Sequence, residues 1–561
     1  MLAREDALAA VSGERFDVVI VGGGVTGAGV ALDAASRGYS VALLERDDYA
    51  VGTSSRSSKM VHGGLRYLQN FDLGLVREAL LERQLMVQLA PHLVYPTPFI
   101  VPTLGGDRRS RVLGIGLNMY DVMATTRVGQ ARRERAERER AEDYWAPDRH
   151  RSIERDEVLE MLPALADRDP RGGYLFYDCQ TDDSRLVLTI LGEAERFGAV
   201  CVNRAEVTGL LEAGGVADGV AVRDVESGEG FEVRADSVIN ATGVWADRLR
   251  PEEIVREEDV PRIAPSRGTH ITVPVERLSL DAACIVPAGE DRTIFVLPWY
   301  GRVLVGTTDN DYDGDIDRVR PGDDDVIYLL DAVNSFFGAD LGPDDVTGAY
   351  AGVRPLISSG DPRKSVDISR KAELYETSSG LLTITGGKLT TWRRMAQQVV
   401  DRMVEREGRI APCRTDDIPL GMAAGEGDLE PPEGLVESDL PNGYRELLRF
   451  RYGHAARAVL RLVGERRQLA SPIVAGQPDL LAEAVIAARL EQARSVADVL
   501  LRRTRLGLVA APQLRSADTA LGVAEAIGGE IGWSPARVRA EADAWVVDAE
   551  AEGIDPAKSL S

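Results

Sequence analysis

Three glycines, Gly22, Gly24 and Gly27, stand at GxGxxG spacing between the apolar run 18–21 and a segment rich in small residues. That arrangement suits a pyrophosphate: the first glycine permits a tight turn, the second lets the backbone approach the phosphates, and the third lets helix and strand pack closely. The anion then sits at a helix N-terminus, where unpaired N–H groups and the dipole favour negative charge. Glu45 ends the next apolar run and can accept from both ribose hydroxyls. A second stretch, SSRSSKMVHGGLRYLQN at 54–70, gathers four serine hydroxyls, three cations, a histidine and a Gly-Gly pair. It is too structured by glycine for a solvated tail and too polar for a core strand, so a polar or anionic group is expected to lie against it.

The elements that must hold these residues follow from pattern. FDVVIVGGGVTGAGVALDAASRGYSVALLERDD reads as strand, glycine turn, helix, strand and acidic stop. ADSVINATGVWAD, 235–247, is a strand running into the turn Ala241, Thr242, Gly243, in the manner of the second dinucleotide-contacting segment of two-domain flavoproteins. GLLTITGGKLTTWRRMA, 380–396, is again strand, Gly-Gly turn and helix, with Lys388 and Thr390 at the helix start, where N–H groups and a lysine suit an electron-rich flavin ring. Three returns of the chain to one nucleotide site predict an α/β FAD-binding fold assembled from separated segments.

Composition bounds the rest. The 561 residues, 44% of them hydrophobic, predict two to four ordinary globular domains. Four scattered cysteines with no CxxC pair argue against a structural zinc site, an iron–sulfur cluster or a disulfide framework, and no metal is expected. Asp and Glu outnumber Lys and Arg 90 to 66, for a net charge of -24, a surface that repels nucleic acid and anionic lipid. Lysine occurs only at Lys59, Lys364, Lys371, Lys388 and Lys558. An acidic, lysine-poor surface matches a high-salt cytoplasm; a GC-rich genome accounts for the lysines but less easily for the acid. No secretory signal or membrane span is read near the N-terminus, so a cytoplasmic protein is expected. The alternating charges of ARRERAERERAED, 131–143, predict a solvated helix, 411–443 a Pro/Gly/acid-rich linker, and 444–561 a helical domain with Ser534 as an N-cap.

Taken together, GTSSRSSKMVHGGLRYL, DCQTDDSRLVLT, PSRGTHITVP, VLPWYGRVLVGTTD, YAGVRPL, GGKLTTWRRMA and LLRRTRLGL occur in an order that resembles the FAD-dependent glycerol-3-phosphate dehydrogenases, from about residue 15 to about 510. The resemblance implies a glutathione-reductase-type, Rossmann-like FAD-binding domain (15–90, 150–260 and 345–410), an antiparallel-sheet substrate domain (91–149 and 261–344) and a C-terminal helical domain. It implies that Thr53, Ser54, Ser58, His62, Gly63, Val207, Gly387, Lys388, Leu389 and Thr390 join the glycines, Glu45 and the 241–243 turn around FAD. Arg66 and Tyr67 would reach the substrate.

A phosphate of charge near -2 requires cations, and Arg66, Arg354 and Lys388 are the candidates; arginine is the better bidentate partner. Hydride transfer from the substrate's C2 leaves a hydroxyl proton, and His270 in SRGTH matches the family's active-site histidine as its base. The implied reaction oxidises sn-glycerol 3-phosphate to dihydroxyacetone phosphate and passes electrons to membrane quinone directly or through partner subunits. The sequence carries no counterpart of the cysteine-rich domain of the multi-subunit anaerobic enzyme. It leaves open a peripheral association with the inner face of the membrane and a homodimer. The rival expectations are an oxygen-using glycerol-3-phosphate oxidase, an amine or amino-acid oxidase of the same fold, and a non-catalytic flavin subunit.

Overall fold

In a computed structural model, residues 1–65, 72–105, 111–124, 149–249, 262–289, 292–358 and 372–556 are described. The charged stretch 131–143 and the pair Arg66 and Tyr67 lie outside the described residues.

Two sheets organise the chain. In the first, the strands run in the order Ala372–Glu376, Leu382–Gly386, Gly230–Asn240, Arg15–Val21, Val41–Leu44, Val200–Val202. The five from Leu382–Gly386 onward are parallel. Arg15–Val21 and Val41–Leu44 are short Val/Ile/Leu runs, and all of Val18 to Val21 and Val41 to Leu44 are buried, as strands covered on both faces must be. The helices Val25–Ser36, Asp183–Arg196 and Trp392–Glu407 pack against one another over this sheet. A hairpin, Ala205–Ala213 and Val216–Asp224, extends antiparallel from Gly230–Asn240.

The second sheet has ten strands and is antiparallel except where Ala283–Pro287 runs parallel to Tyr95–Leu104. Its membership corrects the expected division of the chain. Arg151–Glu154 and Pro170–Gln180, expected in the FAD-binding domain, pair here, the latter along the length of Tyr95–Leu104. Gly348–Ser358, also expected there, pairs along Arg262–Pro274. An alternating strand carries no record of which sheet it joins; that is decided by partners far away in sequence.

The segment 411–443 is not a free linker. Ile418, Leu420 and Leu429 are buried, and the Leu420 amide donates to the Leu89 carbonyl at 2.7 Å. The C-terminal region is helical as expected, and the Ser534 hydroxyl accepts from the Arg537 amide at the start of Pro535–Glu552. Its apolar face packs on the second sheet, where Leu500, Leu508 and Trp545 share a core with Trp299, Leu304 and Tyr350. Among the described residues no helix is long and apolar enough to cross a membrane.

Candidate active site

Four adjacent parallel strands of the first sheet end at the same edge. The residues that follow them are Gly22, Glu45, Ala241 and Gly387. Ligands of open α/β sheets sit at the carboxyl ends of such strands. A cavity of about 510 Å³ lies there, lined among others by Gly22, Gly24, Glu45, Thr53, Ser54, Val207, Ala241, Thr242, Gly243, Gly387, Lys388 and Leu389.

The local geometry explains the glycines. Gly22 has φ +111°, and a Cβ there would lie 2.7 Å from the Ala241 carbonyl oxygen. A Cβ on Gly27 would collide with the Gly22 carbonyl oxygen, so Gly27 is what lets the helix Val25–Ser36 approach the turn. Gly24 differs: within 4 Å a Cβ would meet only the Ser54 hydroxyl, at 3.1 Å, and the remaining space belongs to the cavity. A side chain at Gly24 would therefore fill ligand space rather than protein space.

Glu45 is held by two backbone amides, Gly23 N–H at 2.7 Å and Asp47 N–H at 2.8 Å. Burial nevertheless outweighs those bonds and pushes its carboxyl up to about 7. The donor set fits FAD. A backbone approach at Gly24, an acid able to take ribose hydroxyls and the lysine Lys388 line a volume within the usual range for cofactor pockets, roughly 300–1,000 Å³. The rim was not read from sequence. Arg46 lies over the Trp245 ring at 5.1 Å, and Asp317 accepts from Arg46, Trp245 Nε1 and Arg248. Trp245 follows the 241–243 turn directly, a signal the motif already carried.

The polar stretch at 54–65 forms the passage from this cavity to the second sheet. Thr53 Oγ1 donates to the Val353 carbonyl at 2.6 Å, Ser54 Oγ accepts from the Val25 amide, and Ser57 lines the cavity. Ser58, expected at the cofactor, lies beyond the lining; its hydroxyl is 2.9 Å from His270 Nε2. His62, Gly63 and Thr390 also lie beyond it: the Thr390 hydroxyl accepts from the His62 amide, and the Gly63 amide donates to the Tyr120 hydroxyl at 2.9 Å.

On the second sheet, Ser266, Gly268 and His270 alternate onto one face of Arg262–Pro274, opposite Arg354, Gly352 and Tyr350 of the paired strand. The room at these two glycines is taken by neighbouring groups, Thr307 and the Arg354 guanidinium over Gly268 and Arg56 over Gly352. A Cβ on Gly268 would lie 2.6 Å from Arg354 Nη2, and one on Gly306 would collide with the His270 ring, so both side chains occupy room that glycine provides. Arg354 donates to Asp309 and Thr307 Oγ1 at 3.1 Å each and to the Thr308 carbonyl at 3.1 Å. His270 is buried and stacks on Tyr350, 4.8 Å between ring centroids and 10° between planes. Burial, with the cations Lys59 and Arg354 adding to it, holds the imidazole well below its usual range, so the ring is neutral. Its Nδ1 is buried and has no hydrogen-bond partner among the described residues.

Known proteins resemble the chain along its length. Residues 17–393 match the family described as FAD dependent oxidoreductase, and residues 413–538 match the C-terminal domain of alpha-glycerophosphate oxidase. Glycerol-3-phosphate dehydrogenase 2 of Mycobacterium tuberculosis is 37% identical over 550 residues, 97% of this chain and 90% of that protein. The aerobic glycerol-3-phosphate dehydrogenase of Bacillus subtilis is 33% identical over 522 residues, 90% of this chain and 89% of that protein. The crystal structure of the glycerol-3-phosphate dehydrogenase from Bacillus halodurans complexed with FAD superposes with a TM-score of 0.75 at 27% identity, covering 98% of this chain and 97% of that one. A GxGxxG turn followed by an acid, a cavity at the strand ends and relatives matched over 90% or more of this chain lead to one conclusion: the chain belongs to the FAD-dependent glycerol-3-phosphate dehydrogenase family.

Proposed function

We propose that this chain oxidises sn-glycerol 3-phosphate to dihydroxyacetone phosphate. The observation that carries the reading is the placement of His270 and Arg354 on one face of two paired strands, next to Ser57 and Pro355 of the cavity lining. Bound FAD supplies the acceptor for the two electrons that leave C2 with its hydrogen. The chain's own task is the other proton and the substrate's position. His270, neutral and buried, takes the hydroxyl proton; a charged imidazole could not. Arg354 presents a guanidinium, fixed by Asp309 and Thr307, to the phosphate, and Lys388 adds a cation from the flavin side. Arg66 and Tyr67 enter this reading on the sequence resemblance alone.

The electron acceptor belongs to the same proposal: membrane quinone, directly or through partner subunits. Contact with the membrane would then be peripheral, at its inner face. The likeness of 413–538 to the C-terminal domain of an oxidase supports a second reading, with oxygen as acceptor.

Anaerobic mixing of the holoenzyme with glycerol 3-phosphate tests the main reading. Bleaching of the flavin band within one turnover is expected, and an unchanged spectrum would overturn it. In air, peroxide formed at the rate of substrate oxidation would decide for the oxidase.

A further inference from the structure

Behind the His270–Tyr350 stack lies a lysine with no part in the reaction as described. Lys59 is fully buried, and its Nζ stands 4.6 Å from the centre of the Tyr350 ring. Histidine, tyrosine and ammonium thus form three successive layers. Asp183 holds the ammonium at 2.8 and 3.0 Å, and the Ser57 hydroxyl donates to the same carboxylate at 2.7 Å. The Tyr350 hydroxyl donates to the Ser57 carbonyl at 2.7 Å, closing the layer.

The clamp on Asp183 comes from the C-terminal domain. Arg505 pairs with Asp183 and also with Asp182, at 2.8 Å, while Tyr300 donates to Asp182. Lys59 and Arg505 both have left-handed backbones, φ +58° and +67°, in residues that are not glycine. Such conformations cost on the order of 1 kcal/mol or more and cluster at functional sites. Two of them converge on one buried carboxylate in a chain with only five lysines.

We propose that Lys59 is a positioning residue for the base: its ammonium, fixed behind Tyr350 by Asp183 and Arg505, aligns the stack and keeps the His270 ring free of a proton. This rests on the assignment of His270 as base. The charged groups around the ring bear the sign out. Lys59, whose ammonium burial pulls down to about 8 against the pull of Asp183, is a cation below that pH; Arg354 is a second cation, Asp309 is engaged by Arg354, and Asp182 and Asp183 lie beyond Lys59, both engaged by Arg505. Ser58 and Tyr350 contact it as neutral groups. Removing the ammonium therefore makes protonation of His270 easier. For a cation two ring layers away at an effective dielectric of about 20, the shift is on the order of one pH unit.

The test uses Lys59→Met and Lys59→Gln holoenzymes. Asp183 retains Arg505 and Ser57 in both, and glutamine restores a neutral donor. The titration of His270 is followed by histidine ring NMR without substrate, with its signal assigned from a His270→Gln protein, and the pH dependence of anaerobic flavin reduction is measured in parallel. The expected result is that the His270 midpoint and the acid limb of the rate both move up by about one pH unit in whichever variant retains FAD. An unmoved NMR midpoint in an FAD-loaded variant overturns the proposal. A moved NMR midpoint with an unmoved acid limb removes His270 as base instead and leaves the electrostatic role of Lys59 standing.

Discussion

Arg503 and Asp48 form a two-pronged pair: Nη1 donates to Oδ2 and Nη2 to Oδ1, each at 2.7 Å, with both side chains essentially excluded from solvent. The two residues are 455 positions apart. Asp48 stands three residues after Glu45, so the C-terminal domain grips the turn that follows Glu45. Arg503 lies in the π-turn Asp498–Arg503, and neighbouring Arg502 engages both Asp48 and Asp498. Removing Arg503 leaves the buried Asp48 with Arg502 as its one remaining ion-pair partner among the described residues, whereas removing Arg503 and Asp48 together takes away both charges of the pair. Arg503→Met should therefore lose roughly 3 kcal/mol of stability, and Arg503→Met with Asp48→Leu should regain most of it. Urea denaturation of the holoenzymes measures both; equal stability of single variant and wild type would show that the pair holds nothing together.

Gly24→Val should fold but purify without flavin, because the new side chain occupies cavity rather than core. Gly27→Val should instead fail to fold, since its Cβ meets backbone. The visible spectrum and the far-UV circular dichroism separate the two outcomes, and a yellow Gly24→Val protein would contradict the placement.

Arg354 and His270 should fail in different ways. Arg354→Ala is expected to raise KM for glycerol 3-phosphate tenfold for each 1.4 kcal/mol of charge-assisted bonding lost, and to affect glycerol much less. His270→Ala should slow anaerobic flavin reduction by about a hundredfold while substrate still binds. Stopped-flow reduction across substrate concentrations reads both effects; a His270→Ala enzyme at the wild-type rate would move the base elsewhere.

Glu45 predicts a pH-dependent affinity for FAD. With its carboxyl at about 7 in the ligand-free cavity, the acid is mostly protonated at pH 6. Ribose hydroxyls donate to the charged form and lower that value, so binding expels a proton, and affinity rises with pH through 7 by at most about tenfold per unit. Titration of apoprotein with FAD between pH 6 and 8 should show the rise, and Glu45→Gln should flatten it.

A net charge of -24 repels itself at low ionic strength, where the Debye length is roughly 30 Å at 0.01 M salt against 3 Å at 1 M. The melting temperature should therefore rise between dilute buffer and molar potassium chloride. An unchanged value would remove the reading of a high-salt protein.

The nucleotide end of the site was legible in the sequence because its signals are local. A GxGxxG turn, an acid at a strand end, an Ala-Thr-Gly turn and a Gly-Gly turn each declare a backbone conformation within a few residues, and parallel pairing then brings all four to one edge. The substrate end was legible only through family resemblance. Nothing near His270 in sequence announces Ser58, Tyr350 or Gly306, and nothing near Lys59 announces Asp183 or Arg505.

The class of fold and the cofactor follow from the sequence, since short-range backbone requirements are written in the residues that meet them. Only the tertiary structure shows that Arg151–Glu154, Pro170–Gln180 and Gly348–Ser358 join the second sheet, that the Ser58 hydroxyl stands beside His270, and that Arg503 and Arg505 of the C-terminal helices close on Asp48, Asp182 and Asp183. The physical reason is common to all of these. A strand's partner and a buried charge's counter-charge are chosen by long-range packing, where the cost of an unpaired ladder edge or an uncompensated ion is met only once the whole chain has closed around it.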